Sequence, residues 1–161
     1  MKLLFVQTGG TIDKDYPHTE KGWAFEFGEP AVDRLLTRLN PSFDYESVVA
    51  FQKDSLEITD MDRQILVDLI REQGFKSNII THGTDTIIET GLYLEKHLKD
   101  QMIILTGAMR PERFTNTDAP LNLGVALGAA NLLSKGVYIA MNGLVKAVDL
   151  VKRDKNTGKF Y

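Results

Sequence analysis

The chain has 161 residues, with 19 Lys and Arg against 22 Asp and Glu for a formal charge of −3, and no cysteine. That length fits one domain able to bury roughly 68–70% of the surface its unfolded form would expose. The composition excludes a disulfide framework, a Cys-ligated metal and thiol catalysis, and its interspersed charges leave no basic stripe for nucleic acid.

The first predicted strand is Leu3-Leu4-Phe5-Val6, an apolar run that feeds Thr8-Gly9-Gly10-Thr11-Ile12. Glycine adopts positive φ without steric cost, so this is a tight turn that leaves Thr11 at the end of the strand. Asp13 to Gly28 is a polar stretch longer than most strand-to-helix connections, which suggests a lid or binding loop, with a short strand at Trp23–Phe27. Glu29-Pro30 opens a helix through Leu39, with apolar residues at Val32, Leu35, Leu36 and Leu39, and Asn40-Pro41 stops it. Asp44–Gln52 is a second strand. Thr59 or Asp60 caps a helix that buries Ile65, Leu66, Leu69 and Ile70 and closes at Gly74.

Asn78–Thr81 is a third strand, broken by His82-Gly83, and Thr84–Lys99 a helix with Ile87, Ile88, Leu92, Leu94 and Leu98 on its buried stripe. Met102–Leu105 is a fourth strand. The loop from Ala108 leads to a helix, capped by Asp118 or Thr117, that runs through Leu133. Val137–Met141 is a fifth strand, Asn142-Gly143 turns the chain into a hairpin, and Asp154–Tyr161 reads as loose. Strands alternating with helices predict an α/β fold: a three-layer, mostly parallel sheet with helices on both faces.

Three of those strands end in Thr-Gly-Gly-Thr, Thr-His-Gly-Thr and Thr-Gly-Ala on one edge of the sheet, so their hydroxyls and N–H groups are expected to converge on one cleft. A threonine hydroxyl is a weak nucleophile unless a neighbour takes its proton. Thr84 and Asp85 offer a second hydroxyl and a carboxylate at a helix start, where N–H groups suit an oxyanion, although an Asp there is often only a partner of the helix dipole. A desolvated lysine can act as base, and Lys146, Lys152 and Lys155 all lie in the last segment. The histidines at 18, 82 and 97 show no metal spacing, and the absence of G-x-G-x-x-G and G-x-x-x-x-G-K-[ST] argues against a phosphate binder.

TGGTI at 8–12, DS at 54–55 before ITDM, HGTDT at 82–86, LTGAMRP at 105–111, DAPLNL at 118–123 and AMN at 140–142 together resemble the N-terminal domain of the bacterial-type L-asparaginases, in the family's order. The resemblance implies a Rossmann- or flavodoxin-like domain and hydrolysis of the side-chain amide of L-asparagine to aspartate and ammonia, with no cofactor. Thr11 matches the family's nucleophile, and Thr84, Asp85 and a lysine its second catalytic group. Ala147-Val-Asp149-Leu-Val-Lys152 matches the family's A-x-D-x-x-K and selects Lys152. Tyr16 is the nearest match to the lid tyrosine. Substrate contacts are implied at Gly10, Asp54, Ser55, Gly83, Thr84 and Asp85, with Ser55 on the α-carboxylate and Asp85 on the α-amino group.

Leu56 stands where several members have a polar side chain. Residues 1–161 are expected to form a single catalytic domain without the family's smaller C-terminal domain, in a cytoplasmic homo-oligomer that binds a small amino-acid amide and neither nucleic acid nor membrane. The alternative expectation is a non-catalytic or weakly active domain that binds aspartate or asparagine.

Overall fold

A computed structural model describes residues 2–20 and 22–161. Strand β1 (Lys2–Gly9) is followed by one 3-10 turn at Thr11–Asp13 and a ribbon of two-residue strands: β2 (Lys14–Asp15), β3 (His18–Thr19), β4 (Gly22–Trp23) and β5 (Glu26–Phe27). β2 pairs with β5 and β3 with β4, so the expected strand at 23–27 is split at Ala24–Phe25. Then come α1 (Ala31–Leu39), β6 (Asp44–Lys53), α2 (Asp60–Gln73), β7 (Ser77–Thr81), α3 (Ile87–His97), β8 (Met102–Thr106), α4 (Ala119–Ala130), β9 (Gly136–Met141) and β10 (Leu144–Ala147).

The six-stranded sheet has the order β10-β9-β8-β7-β1-β6, parallel throughout except for the β9–β10 hairpin. Chain order therefore reverses between β1 and β7, and a crevice opens above the carboxyl ends of those strands, where open α/β sheets bind ligands. Side chains alternate across the sheet because the strand period is two. Leu3, Phe5, Ile79 and Ile104 pack under α1 and α4, whereas Leu4, Val6, Ile80, Ile103 and Leu105 pack under α2 and α3. Helices thus cover both faces, as the alternating pattern predicts.

Local chemistry sets the ends. Thr59 and Asp62 form a reciprocal capping box at the start of α2, and Gly74 ends it in the left-handed conformation. Asn142 and Gly143, both at positive φ, make the two-residue hairpin turn.

Four expectations need correction. α3 begins at Ile87 rather than Thr84, because the Thr86 hydroxyl donates to the Ser55 carbonyl at 2.7 Å instead of capping the helix. α4 ends at Ala130 rather than Leu133, where Asn131 and Leu132 tighten onto the carbonyls three residues back. Ile65 faces solvent, and α2 buries Asp62, Leu66, Val67 and Ile70. The last segment is built rather than loose: Lys152 and Tyr161 exchange two backbone hydrogen bonds of 2.9 Å, Arg153 bridges to Phe160, and the Phe160 ring is buried.

Candidate active site

The site is assembled where three turns meet. Gly10, at φ +82°, lies so close to the backbone of His82 and Gly83 that a Cβ there would overlap it, and its N–H donates to the Lys53 carbonyl at 3.0 Å. A Cβ on Gly83 would fall 2.6 Å from Ser55 Cβ and Oγ, and one on Gly107 would strike the His82 carbonyl oxygen. Glycine is required at 10 because backbone passes against backbone, and at 83 because a side chain would overlap that of Ser55. The contact fixes the turns after β1, β6 and β7 together, and Thr11, Ser55 and Thr84 stand immediately around it.

The strand-end threonines are structural, which departs from the expected convergence of all their hydroxyls. Thr8 Oγ1 donates to the Thr81 carbonyl and Thr106 Oγ1 to the Ala140 carbonyl, each at 2.8 Å, and Thr81 Oγ1 reaches Asp13 Oδ2 at 3.3 Å. Thr11, by contrast, is half-buried and lines a cleft of about 490 Å³ with Lys14, Phe25, Met109, Arg110, Pro111, Phe114 and Asn116. Lys14 Nζ donates to Asp54 Oδ2 at 2.9 Å, and this bond, with the Leu56 N–H on the other oxygen, holds the Asp54 carboxyl below the usual carboxylate range. Ser55 is buried at the bottom of that turn.

Thr84 and Asp85 come together with a cation that sequence reasoning passed over. Arg153 Nη1 donates to the Thr84 carbonyl at 3.0 Å and to Asp85 Oδ1 at 2.7 Å, and its Nη2 lies 3.4 Å from Thr84 Oγ1. The expected lysine is not brought there. Lys152 is exposed, and among the described residues only its backbone is bonded, to Tyr161. Neighbouring residues on an extended segment face opposite ways, so a one-residue difference exchanges the amine for a guanidinium. Tyr16 stacks on Trp23 at 5.8 Å and against Phe25 at 4.9 Å, and Phe25 in turn meets Phe114 at 6.1 Å. The tyrosine therefore belongs to an aromatic cluster of which Phe25 and Phe114 line the Thr11 cleft.

Asp13 is the second residue that sequence reading missed as part of the site. Its Oδ1 accepts the Ala31 N–H at 2.8 Å, its carbonyl accepts the Gly28 N–H, and burial pushes its carboxyl up to about 6. The available signal was negative: α1 opens on Glu29-Pro30 with no side-chain cap of its own, so its first N–H groups needed a partner from elsewhere. The 108–118 loop is held by the same economy. Asp118 accepts from the Met109 and Arg110 N–H groups rather than capping α4, while Thr117 Oγ1 accepts from Ala119 N. Asn122 links Gly107, Asp118 and Asn142. Arg34 Nε meets Glu112 Oε2 at 2.7 Å, and the Glu112 N–H donates to the Ile12 carbonyl. Arg110 donates to the Asn116 carbonyl and Arg113 pairs with Asp15. Among the described residues no cluster of His, Asp or Glu side chains could hold a metal ion.

Fold and site together define a doubly wound α/β domain with a cleft lined by Thr11 beyond the carboxyl end of β1. The chain belongs to the asparaginase family: the profile of the asparaginase N-terminal domain matches residues 2–158. It is 32% identical to the glutaminase-asparaginase of Acinetobacter glutaminasificans over 96% of this chain and 50% of that one. To L-asparaginase 2 of Escherichia coli it is 30% identical, over 89% of this chain and 43% of that one. The thermostable L-asparaginase from Thermococcus kodakarensis superposes with a TM-score of 0.85 at 29% identity, covering 100% of this chain and 51% of that structure. The chain thus spans about half the length of the curated relatives it matches. Among the described residues no helix is long and apolar enough to cross a membrane.

Proposed function

We propose that this chain is an amidohydrolase that cleaves the side-chain amide of L-asparagine. Thr11 Oγ attacks the amide carbon, the C–N bond breaks, ammonia leaves with the proton it gains, and water hydrolyses the resulting ester to aspartate and free Thr11. Thr84 and Asp85 form the second catalytic group, with the Thr84 N–H as an oxyanion donor and Lys152 as the proton acceptor, which must swing inward to serve. Ser55 takes the α-carboxylate and Asp85 the α-ammonium, Gly10, Asp54 and Gly83 complete the substrate wall, and Tyr16 acts from the lid. No cofactor enters the scheme. Residues 1–161 act as a single domain in a cytoplasmic homo-oligomer. Both locations occur among the similar proteins: a Campylobacter jejuni structure is titled a probable cytoplasmic L-asparaginase, and a Haemophilus influenzae relative is named a probable periplasmic one.

The observation that carries this reading is the glycine contact that packs together the turns bearing Thr11, Ser55 and Thr84. Its test is ammonia release from asparagine and glutamine by the purified chain beside Thr11→Val. Release from asparagine that disappears in the variant is expected, and wild-type rates in Thr11→Val would sink the mechanism. Lys152→Met is expected to lower the rate at least a hundredfold; near-normal turnover would remove Lys152 as base and make Lys146 the next candidate.

One observation favours a second reading, an aspartate- or asparagine-binding domain. The cation on Thr84 is a guanidinium, which does not give up its proton in proteins and so cannot act as a base. Ligand-induced stabilisation without ammonia release would select this reading.

A further inference from the structure

The Arg153 side chain is held by the tail as well as by Thr84 and Asp85. Its Nε donates to the Gly158 carbonyl at 3.3 Å, and its guanidinium carbon lies 5.5 Å from the centroid of the Phe160 ring. Phe160 is buried, and its N–H donates to Asn142 Oδ1 at 3.2 Å. The turn between these residues is closed by Asp154: its N–H and carbonyl bond Lys159 and Gly158, and its carboxylate accepts from the N–H groups of Asn156 and Thr157. The guanidinium is therefore the tip of a closed clasp, and much of its rotamer freedom is already given up to contacts that are not part of the site. The Arg153 side chain is 23% exposed, whereas the Asp85 side chain it meets is 49% exposed.

Two consequences follow from where the donors go. Asp85 Oδ1 is engaged by Nη1, which leaves Oδ2 as the oxygen open to a ligand. The Thr84 hydroxyl faces Nη2 as an acceptor, so its own hydrogen is directed away from the arginine. We propose that Arg153 is a positioning residue: it holds the Asp85 carboxylate and the Thr84 hydroxyl as one rigid unit and, through Asp85, sets the selectivity of the site for ligands that carry an α-ammonium group. This rests on the reading of Asp85 as the amino-group ligand. The role requires a charged donor fork and no proton transfer, which suits arginine at a position where a base would need an amine.

The test compares L-asparagine with succinamic acid, the same amide without the α-amino group, in wild type, Arg153→Met, Arg153→Gln and Arg153→Lys. Arg153→Met is expected to raise KM for asparagine about tenfold or more and to pull the asparagine-to-succinamate ratio of kcat/KM down by a similar factor, with Arg153→Lys, which keeps the charge without the fork, recovering only part of the ratio. Equal losses on both amides, or a lowered Tm with unchanged KM, overturn the proposal and leave Arg153 a purely structural residue. Should Arg153→Met fail to fold, Arg153→Gln, which keeps hydrogen-bond donors without charge, reads the same ratio. If the wild-type chain releases no ammonia, the hydrolytic reading fails, and calorimetric binding of L-aspartate against succinate decides the matter. A loss of tenfold or more confined to aspartate in Arg153→Met supports the selectivity role, while equal losses, or no aspartate binding by wild type, overturn it.

Discussion

At Gly83 and Gly10 the site depends on the absence of a side chain. A methyl at 83 meets Ser55 at 2.6 Å, and the Ser55 N–H side of the turn is only 3.2 Å away, so neither partner can yield without moving backbone. Gly83→Ala is expected to cost about 2–3 kcal/mol of overpacking and to displace Ser55, which urea unfolding and ligand-induced thermal shift both read. Gly10→Ala adds the strain of a positive φ and is expected to cost more. These glycines were legible in the sequence because the TGGT and THGT turns announce them. The partner of Thr84 was not. A motif read along the chain selects Lys152, but which of two adjacent residues faces inward depends on how the tail closes back on itself through the Lys152–Tyr161 pair. That pairing spans residues with no regular period, so the sequence carries no trace of its phase.

At the scale of elements, strands and helices were recoverable because each has a clear period and chemically defined ends. The 13–28 segment was legible as a lid or binding loop from its length, but its internal pairing was not, since two-residue strands have no periodicity to detect. It is joined to the cleft by aromatic contacts, Tyr16 and Phe25 on the ribbon and Phe114 on the 108–118 loop. Phe114→Ala is expected to raise amide exchange across residues 14–27 while leaving β7 and β8 protected, because local opening needs only the ribbon to lift. Protection unchanged in the ribbon would show that Arg113–Asp15 holds it instead. At the start of α2, Asp62 closes the capping box and also receives Lys53 Nζ at 2.7 Å. Burial alone would push the Asp62 carboxyl up, but Lys53 and the Thr59 donors outweigh it and hold it below the usual range. Thr59→Ala is therefore expected to cost about 1 kcal/mol in urea unfolding, and Asp62→Ala more, since it removes the cap and the lysine's partner together.

Over the whole molecule, the switch point between β1 and β7 gathers two buried titrating groups whose effects oppose one another. Asp13 sits after β1 with its carboxyl raised by burial from 3.8 to about 6, against the lowering influence of Ala31, Gln7, Thr81 and Arg34. His82 follows β7 with its imidazole lowered by burial from 6.5 to about 4, and Arg63 pushes the same way. Its Nδ1 bonds the Gly83 carbonyl at 2.8 Å, which makes that nitrogen the donor, and its Nε2 has no partner among the described residues. Between pH 4 and 6 the folded chain binds more protons at Asp13 than the unfolded chain does, so that group's contribution is fully present below 3.8 and is lost as pH rises through 6. At His82 the unfolded chain binds more protons between pH 4 and 6.5, so its contribution is present above 6.5 and is lost as pH falls through 4. Each shift amounts to about 3 kcal/mol at ~1.36 kcal/mol per unit, and the two windows nearly coincide. Wild-type stability, followed as urea midpoints from pH 4 to 7, is therefore expected to stay flat within about 1 kcal/mol, and Asp54 and Asp62, both held low, add their loss only as pH falls further. Removing either member uncovers the other. His82→Asn, which keeps a donor for the Gly83 carbonyl, is expected to lose stability as pH rises from 4 to 6, and Asp13→Asn to gain it across the same range. Parallel pH curves for wild type and both variants would show that neither group titrates differently in the folded and unfolded chain, and the balance at the crevice would have to be carried by other groups.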